Sequence, residues 1–284
     1  MNFSYNFYKS DNFILKYFSR FFINKLSKIN KKINTSQLVL IKNDHVSNEI
    51  LIDGYYEGKE LKVLCEWLKK KKKLKLAVDI GAYIGNNSIF FSNYFKNVLS
   101  FEPNLLSYRL LKINTEQKKN IKIYNFGISN KNSTKDFYSY ENNYGGSSVK
   151  RNPNLKFDKI KAKFFRFDNL KINHKADLIK IDVEGEELNV LKGMSNYLEK
   201  YKPIVIFECQ EKEIINGSSK VINFLKNKKY SNFYSIDNFD KVNVNLFDRL
   251  VHVFKYVFYS RKKYIVKKNY FEKKFYNFII AEYN

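Results

Sequence analysis

Two short runs of this sequence carry groups that could do chemistry together. Val78-Asp79-Ile80-Gly81-Ala82-Tyr83-Ile84-Gly85-Asn86-Asn87-Ser88 reads as a strand, a tight glycine turn and a helix start. Lys180-Ile181-Asp182-Val183-Glu184-Gly185-Glu186-Glu187 runs from an apolar strand into a group of acids. A turn at the carboxyl end of the first strand is where doubly wound sheets bind ligands. Gly81 would let the backbone approach a ligand, and Gly85 would let the helix close on the strand. The N–H groups at the helix start can hold a carboxylate. The Gly-x-x-x-Gly spacing is not the Gly-x-Gly-x-x-Gly of dinucleotide sites, so a small zwitterion is expected rather than a pyrophosphate. A merely structural βα turn is the plain alternative.

A third run, Phe101-Glu102-Pro103-Asn104, ends the next strand. Glu102 follows Asp79 by 23 residues, close to the spacing of about 20 at which an acid meets ribose hydroxyls. Pro103 suits the first position of the following helix, where a missing N–H does no harm. A helix-capping role for Glu102 is the alternative. Asp182 and Glu184 alternate along a strand end, so one of them should face the cleft. Glu186 and Glu187 suit a helix N-terminus. Glu208 closes the fifth strand at the same rim. Converging acids suggest general-base work or metal ligation, against a plain role in solubility and capping.

These groups need a scaffold, and the chain supplies alternating short apolar runs and helical stretches from residue 74 onward, the pattern of βαβ units. Expected strands are Leu74–Ile80, Asn97–Glu102, Ile121–Ile128, Ala176–Asp182 and Ile204–Glu208, with Ser231–Ile236 and Tyr276–Glu282 closing the sheet. Expected helices are Asn86–Phe95, Leu105–Lys118, Glu186–Glu199 and Ser218–Lys228. Thr134–Tyr140 and Ile160–Phe167 read as antiparallel strands separated by a polar loop. In that loop Tyr144-Gly145-Gly146-Ser147-Ser148 could complete the pocket as a lid, or be an ordinary turn. Gly54-Tyr55-Tyr56-Glu57-Gly58 could fold over the ligand from the other side. One doubly wound domain over residues 44–284 is the economical reading, after a basic amphipathic segment over 1–43.

Two flanking stretches are amphipathic and basic. Phe13–Ile29 spaces Leu15, Phe18, Phe22, Leu26 and Ile29 at helical intervals. Leu246–Phe258 does the same within a basic helical insertion at about 246–270. Such helices can lie in a membrane interface, although packing on the domain or a partner is the commoner fate.

The 284 residues carry 52 Lys plus Arg against 28 Asp plus Glu, a formal +24. That balance suits a polyanion or an anionic membrane. Only six of the 52 are Arg, while Asn numbers 36. Arg is the usual bidentate reader of phosphates and bases, so an AT-rich coding bias explains the excess as well as a selected partner does. With 44% hydrophobic residues, wholesale disorder is excluded. No apolar run approaches the ~18 residues of a membrane span, and the first residues lack the form of a signal peptide. Cys65 and Cys209 form no Cys-x-x-Cys pair, which excludes a cysteine zinc site and fits a reducing cytoplasm. His45, His174 and His252 are not placed together, so a histidine metal site or a catalytic triad is not expected.

Asp79–Ser88, Phe101-Glu102-Pro103-Asn104, Gly145-Gly146-Ser147-Ser148 and Lys180–Gly185 with Leu191-Lys192-Gly193 together resemble the FkbM-type methyltransferases, from about Asp44 to Gln210. The resemblance implies a class I methyltransferase fold, a Rossmann-like doubly wound α/β sheet of seven strands with the last antiparallel, here with helical N- and C-terminal additions. It implies S-adenosyl-L-methionine as cofactor and O-methylation, often of sugars in surface glycans. Asp79, Gly81, Ala82, Tyr83, Gly85, Asn86 and Ser88 would bind the cofactor with Glu102, Pro103, Gly127 and Asp182, Glu102 taking the ribose. Asp182 and Glu184 would face the sulfonium and the acceptor. Tyr83 stands where the family usually has Asn, and Gly127 where Ala is common.

A sugar hydroxyl is a poor nucleophile and gains from a general base. Asp182 is the first candidate, with Glu184 and Glu208 behind it, and no metal is expected. The expected partners are a sugar or glycoconjugate substrate and an anionic membrane met peripherally from the cytoplasmic side. A nucleic-acid methyltransferase is the lesser reading, since no Asn-Pro-Pro-Tyr-type motif follows the fourth strand. A catalytically silent partner- or membrane-binding module is the third.

Overall fold

The computed structural model describes residues 17–19, 21, 22, 25, 38–140, 143–238 and 263–284. Helices α1 (His45–Asp53) and α2 (Gly58–Lys71) lead into strand β1 (Leu76–Ile80). Helix α3 (Asn86–Ser92), β2 (Asn97–Phe101), α4 (Leu105–Thr115) and β3 (Ile121–Tyr124) complete the first winding. After an antiparallel excursion come β8 (Leu178–Ile181), α5 (Glu187–Gly193), α6 (Ser195–Tyr201), β9 (Ile204–Cys209) and α7 (Lys220–Asn227). Strands β10 (Tyr230–Asn238), β11 (Lys263–Lys267) and β12 (Tyr276–Tyr283) follow.

The main sheet has the order β11-β10-β12-β9-β8-β1-β2-β3. Its five central and edge strands from β9 to β3 are parallel, and β12 enters antiparallel between β9 and β10. Every residue of β1 is buried, as a strand covered on both faces requires. Alternate residues go to opposite layers. Val78 and Ile80 join the cluster with Val190, Leu191 and Leu225 of α5 and α7. Ala77 joins the layer with Leu61, Leu64 and Leu68 of α2 and Phe91 of α3. The order reverses at β1, where β2 lies on one side and β8 on the other. The crevice at the carboxyl ends of β1 and β8 is therefore the expected ligand site.

The sheet differs from the sequence reading in several places. It has eight strands among the described residues, not seven, because β11 pairs antiparallel with the edge of β10. Residues 263–267 of the expected basic helix are thus a strand, in which Ile265 packs inward while Tyr264 and Val266 are exposed. Residues 246–262 lie outside the described residues, as does most of the N-terminal segment. The helical residues Tyr17, Phe18, Phe21 and Phe22 are exposed.

The expected third strand splits: β3 stays in the main sheet, while β4 (Gly127–Ile128) joins a second sheet of order β4-β7-β5-β6. That sheet comprises β5 (Ser133–Tyr140), β6 (Asn143–Ser148) and β7 (Phe157–Phe165), with β5 and β7 antiparallel as expected. The anticipated polar loop contains a strand, β6. The expected helix over 186–199 is two helices that meet at buried Met194.

Candidate functional site

At the carboxyl edge of β1 the chain turns through Gly81 and Ala82, whose N–H groups both donate to the Phe101 carbonyl at 3.0 and 3.1 Å. Gly81 sits at φ 84°, and a Cβ there would lie 1.8 Å from the Asp182 carbonyl oxygen. The neighbouring strand end thus requires the glycine, and its backbone also lines the cleft. Gly85, at φ 98°, admits Leu111 and Thr115 of α4, since a Cβ would stand 2.9 Å from Leu111 Cδ1. It closes helix on helix, not helix on strand.

Beneath this turn lies a polar web. Asp79 is fully buried and accepts from Ser88 Oγ at 2.6 Å, while Ser88 shares a 2.8 Å contact with Ser100 Oγ. Lys180 is 1% exposed, with its Nζ 3.6 Å from Asp79 and 3.0 Å from Asp182. Burial pushes the Asp79 carboxyl up, against the pull of Lys180 and Ser88. Asp79, Gly85 and Ser88 support the turn from below; none of them lines the cleft.

A cleft of about 260 Å³ opens above, lined by Gly81, Ala82, Tyr83, Asn86, Glu102, Pro103, Gly127, Asp182, Glu184 and Glu208 among the expected residues. Glu102 is buried, and its two oxygens accept from the backbone N–H groups of Tyr83 at 2.9 Å and Asn104 at 2.8 Å. Burial raises this carboxyl to about 7 against those two bonds. Asn104 caps α4 through Leu106 N, so Pro103 precedes the cap and does not open the helix. Tyr83 adopts a left-handed φ of 49°, and its buried hydroxyl lies against Asp44 at the cap of α1, which with burial drives its pKa up.

The Gly54–Gly58 turn does close on this cleft. Tyr56 N donates to Asn86 Oδ1 at 3.0 Å, and Asn86 Nδ2 donates back to Tyr56 O at 2.9 Å. The Asn86 amide is thus spent on holding the turn. On the opposite side Tyr144–Ser147 of β6 line the cleft. Ser148 Oγ donates to the Glu184 carbonyl at 3.1 Å, and Lys150 Nζ donates to the Gly185 carbonyl.

At the far end Asp182, Glu184 and Glu208 bring carboxylate oxygens within 4.8 Å of one another. Asp182 and Glu184 both line the cleft, not one of the two as strand alternation suggested. The strand ends at Ile181, and left-handed Glu184 (φ 54°) and Gly185 (φ 86°) turn the chain back. Glu187 pins that turn by accepting from Val183 N and Gly185 N at 3.3 and 3.0 Å. Burial and then the Asp182 charge raise Glu184 to about 7 and Glu208 to about 9. Glu57, from the closing turn, is raised to about 8 by the same causes and accepts from Asn277 Nδ2 at 2.6 Å.

A buried acid at the end of β2, a glycine turn after β1 and acids after β8 thus meet on one crevice of a doubly wound sheet, where such sheets bind ligands. The family profile described as Methyltransferase FkbM domain matches residues 79–231, more than half of the chain. The chain belongs to the FkbM methyltransferase family. Membership of this methyltransferase family points to S-adenosylmethionine as the cofactor. No curated protein matches the chain.

Among solved structures the FkbM chain is similar to the methyltransferase FkbM of Methylobacillus flagellatus, at 14% identity and a TM-score of 0.42, over 74% of this chain and 44% of that one. It thus spans less than half the length of that relative. It is also similar to a precorrin-6y C5,15-methyltransferase of Geobacter metallireducens, at 11% identity and a TM-score of 0.43, over 87% and 95%. An rRNA methylase of Streptococcus thermophilus is similar at 8% identity and a TM-score of 0.40, over 79% and 95%. These likenesses are distant, and the family rests on the profile match.

The residues present fit the cofactor. Glu102 offers a carboxylate already oriented by two backbone donors, suited to a ribose diol, and the acids beyond it suit a cation. Gly127 admits the Phe164 ring at the cleft wall, since a Cβ there would stand 2.4 Å from it. Sequence reasoning missed His45, Tyr56, Phe164, Lys180 and Phe275 as lining residues. Of these, Tyr56 and Lys180 stood in runs already singled out, Gly54–Gly58 and Lys180–Glu187. Among the described residues no helix is long and apolar enough to cross a membrane.

Proposed function

We propose that this FkbM protein transfers a methyl group to a hydroxyl oxygen, on a sugar of a surface polysaccharide or glycoconjugate. The observation that supports this most is the carboxyl cluster of Asp182, Glu184 and Glu208 at the end of the cleft away from Glu102. The sulfonium supplies an activated methyl group, and the chain's own residues must align an acceptor and take its proton. Alignment alone can lower such a barrier by up to about 7–11 kcal/mol. Asp182 is committed to the Lys180 ammonium at 3.0 Å. Glu184, raised to about 7, is better matched to abstract a proton near neutral pH, a role worth about 10²–10⁴-fold. Asp182 then fixes negative charge beside the sulfonium, and Glu208 completes the rim. Asp79, Gly81, Ala82, Tyr83, Glu102 and Gly127 hold the donor in this reading, directly or from beneath.

Peripheral contact with an anionic membrane belongs to the same proposal, supported by the +24 charge and by exposed Phe18, Phe21 and Phe22. Flotation with anionic vesicles checks it: retention supports the contact, and recovery of all protein in the soluble fraction removes it. The transfer is checked with isotope-labelled S-adenosylmethionine and candidate glycans. Label in an ether-linked methyl supports the proposal, and label on nitrogen or carbon contradicts it.

A further inference from the structure

A second cavity adjoins the cleft, and the methyl-transfer reading does not use it. It runs between α1, the start of α2, the end of α3 and the approach to β12, and meets the cleft at His45, Tyr56 and Phe275, which line both. Its volume is about 1350 Å³, beyond the ~300–1,000 Å³ of a small-molecule pocket. Its wall carries the Phe90–Tyr94 stack, with rings 5.4 Å apart and 15° from parallel. Phe275 is 51% exposed where the two cavities join.

The charge of this groove is unlike that of the chain. The protein as a whole carries +24, yet the groove sets four acids, one of them the raised Glu57, against four lysines, so its own charge is close to neutral. Lys263 is ion-paired with Glu60 at 2.6 Å, while Lys118 is tied to the neutral Asn93 Oδ1 at 3.0 Å and keeps its charge. Polyanion binding rests on a marked local excess of cations, which four acids set against four lysines do not provide, and the cleft it opens into is dominated by carboxyl groups. Aromatic faces beside carboxylates and amides instead suit a chain with apolar C–H faces and many hydroxyls.

We propose that this groove holds the part of the acceptor beyond the methylated unit, and that the acceptor is an uncharged glycan chain of several sugars. This rests on the sugar O-methyltransferase reading and narrows it, setting acidic polymers, nucleic acids and free sugars aside. The groove sets length selectivity, while the cleft performs the transfer.

The test is a ladder of neutral glucan, galactan, mannan and rhamnan oligosaccharides, from the single sugar upward, methylated by the full chain with labelled S-adenosylmethionine. Acidic oligogalacturonate of matched length is the comparison. For an accepted neutral series kcat/KM is expected to climb with length. The ratio of long-chain to single-sugar kcat/KM should fall roughly two- to tenfold in Tyr94→Ala, the range an aromatic contact supplies. Asp53→Trp, at an exposed groove position, should lower the same ratio by obstruction without disturbing the core. Rates independent of length, preference for the acidic chain, or cofactor binding with transfer to none of the neutral chains would overturn the groove assignment. Failure to bind S-adenosylmethionine would instead overturn the methyl-transfer reading on which it rests.

Discussion

Lys180 reaches Asp182 at 3.0 Å from a side chain that is only 1% exposed. Its ammonium also lies 3.6 Å from buried Asp79, so one cation ties the floor of the cofactor turn to the acid end of the cleft. Breaking a buried pair by removing one partner costs about 3–5 kcal/mol, because a charge is left uncompensated. Lys180→Met should therefore lose about that much stability in urea denaturation. A loss below about 1 kcal/mol would show that the pair is not formed.

Activity should titrate with Glu184. A general base works deprotonated, and this carboxyl is raised to about 7, so kcat/KM should rise as pH increases through about 7. In Glu184→Gln that rise should disappear along with about 10²–10⁴-fold of the rate. A profile unchanged in the variant would move the base to Asp182 or Glu208.

The same cluster sets how stability depends on pH. Carboxyls raised from 4.5 to about 7 in Glu102, Glu184 and Glu187, about 8 in Glu57 and about 9 in Glu208 are protonated in the fold where the unfolded chain is ionised. The stability linked to them is fully present below 4.5 and is lost as pH rises through about 7 to 9. Glu208→Gln should melt above the native protein at pH 9, with the difference closing toward pH 5. Each kcal/mol relieved should appear as about 2–4 °C in a domain of this size. Parallel melting curves at both pH values would refute the assignment of buried acids.

Two side-chain amides tether the closing turn, Asn277 at Glu57 and Asn86 at Tyr56. Asn86 exchanges two hydrogen bonds with the Tyr56 backbone, each worth about 0.5–1.5 kcal/mol net. Asn86→Ala should speed hydrogen exchange over residues 54–58 and leave the β1 amides protected. Equal exchange in both proteins would mean that the turn is held elsewhere.

How much of this was legible follows from where each constraint lies in the chain. Glu102, Asp182 and Glu208 could be placed on one rim because each follows an apolar run and strand ends in a parallel sheet share an edge, whereas Asp79, one residue inside the end of β1, is buried beneath that rim. The role of Gly81 could not be read, since the atom that forbids its Cβ is the Asp182 carbonyl on the neighbouring strand. His45 and Phe275 reach the cleft through packing of distant segments, which no local pattern records. Strand β11 replaces part of the expected basic helix because Lys263–Lys267 is too short to separate the two periods and lies at a basic edge. Glu57 lay in a turn already suspected of closing the site, but its burial and its bond to Asn277 depend on β12, 220 positions away.

The central claim is that Glu102 and the turn beneath it hold S-adenosylmethionine, and calorimetric titration of the native protein and Glu102→Ala tests it most directly. The native protein should bind S-adenosylmethionine and S-adenosylhomocysteine but not NAD. Glu102→Ala should bind roughly tenfold or more weakly, the loss of one to two hydrogen bonds to a charged group. Equal affinity in the variant, or no heat with either ligand at millimolar concentration, would contradict the account.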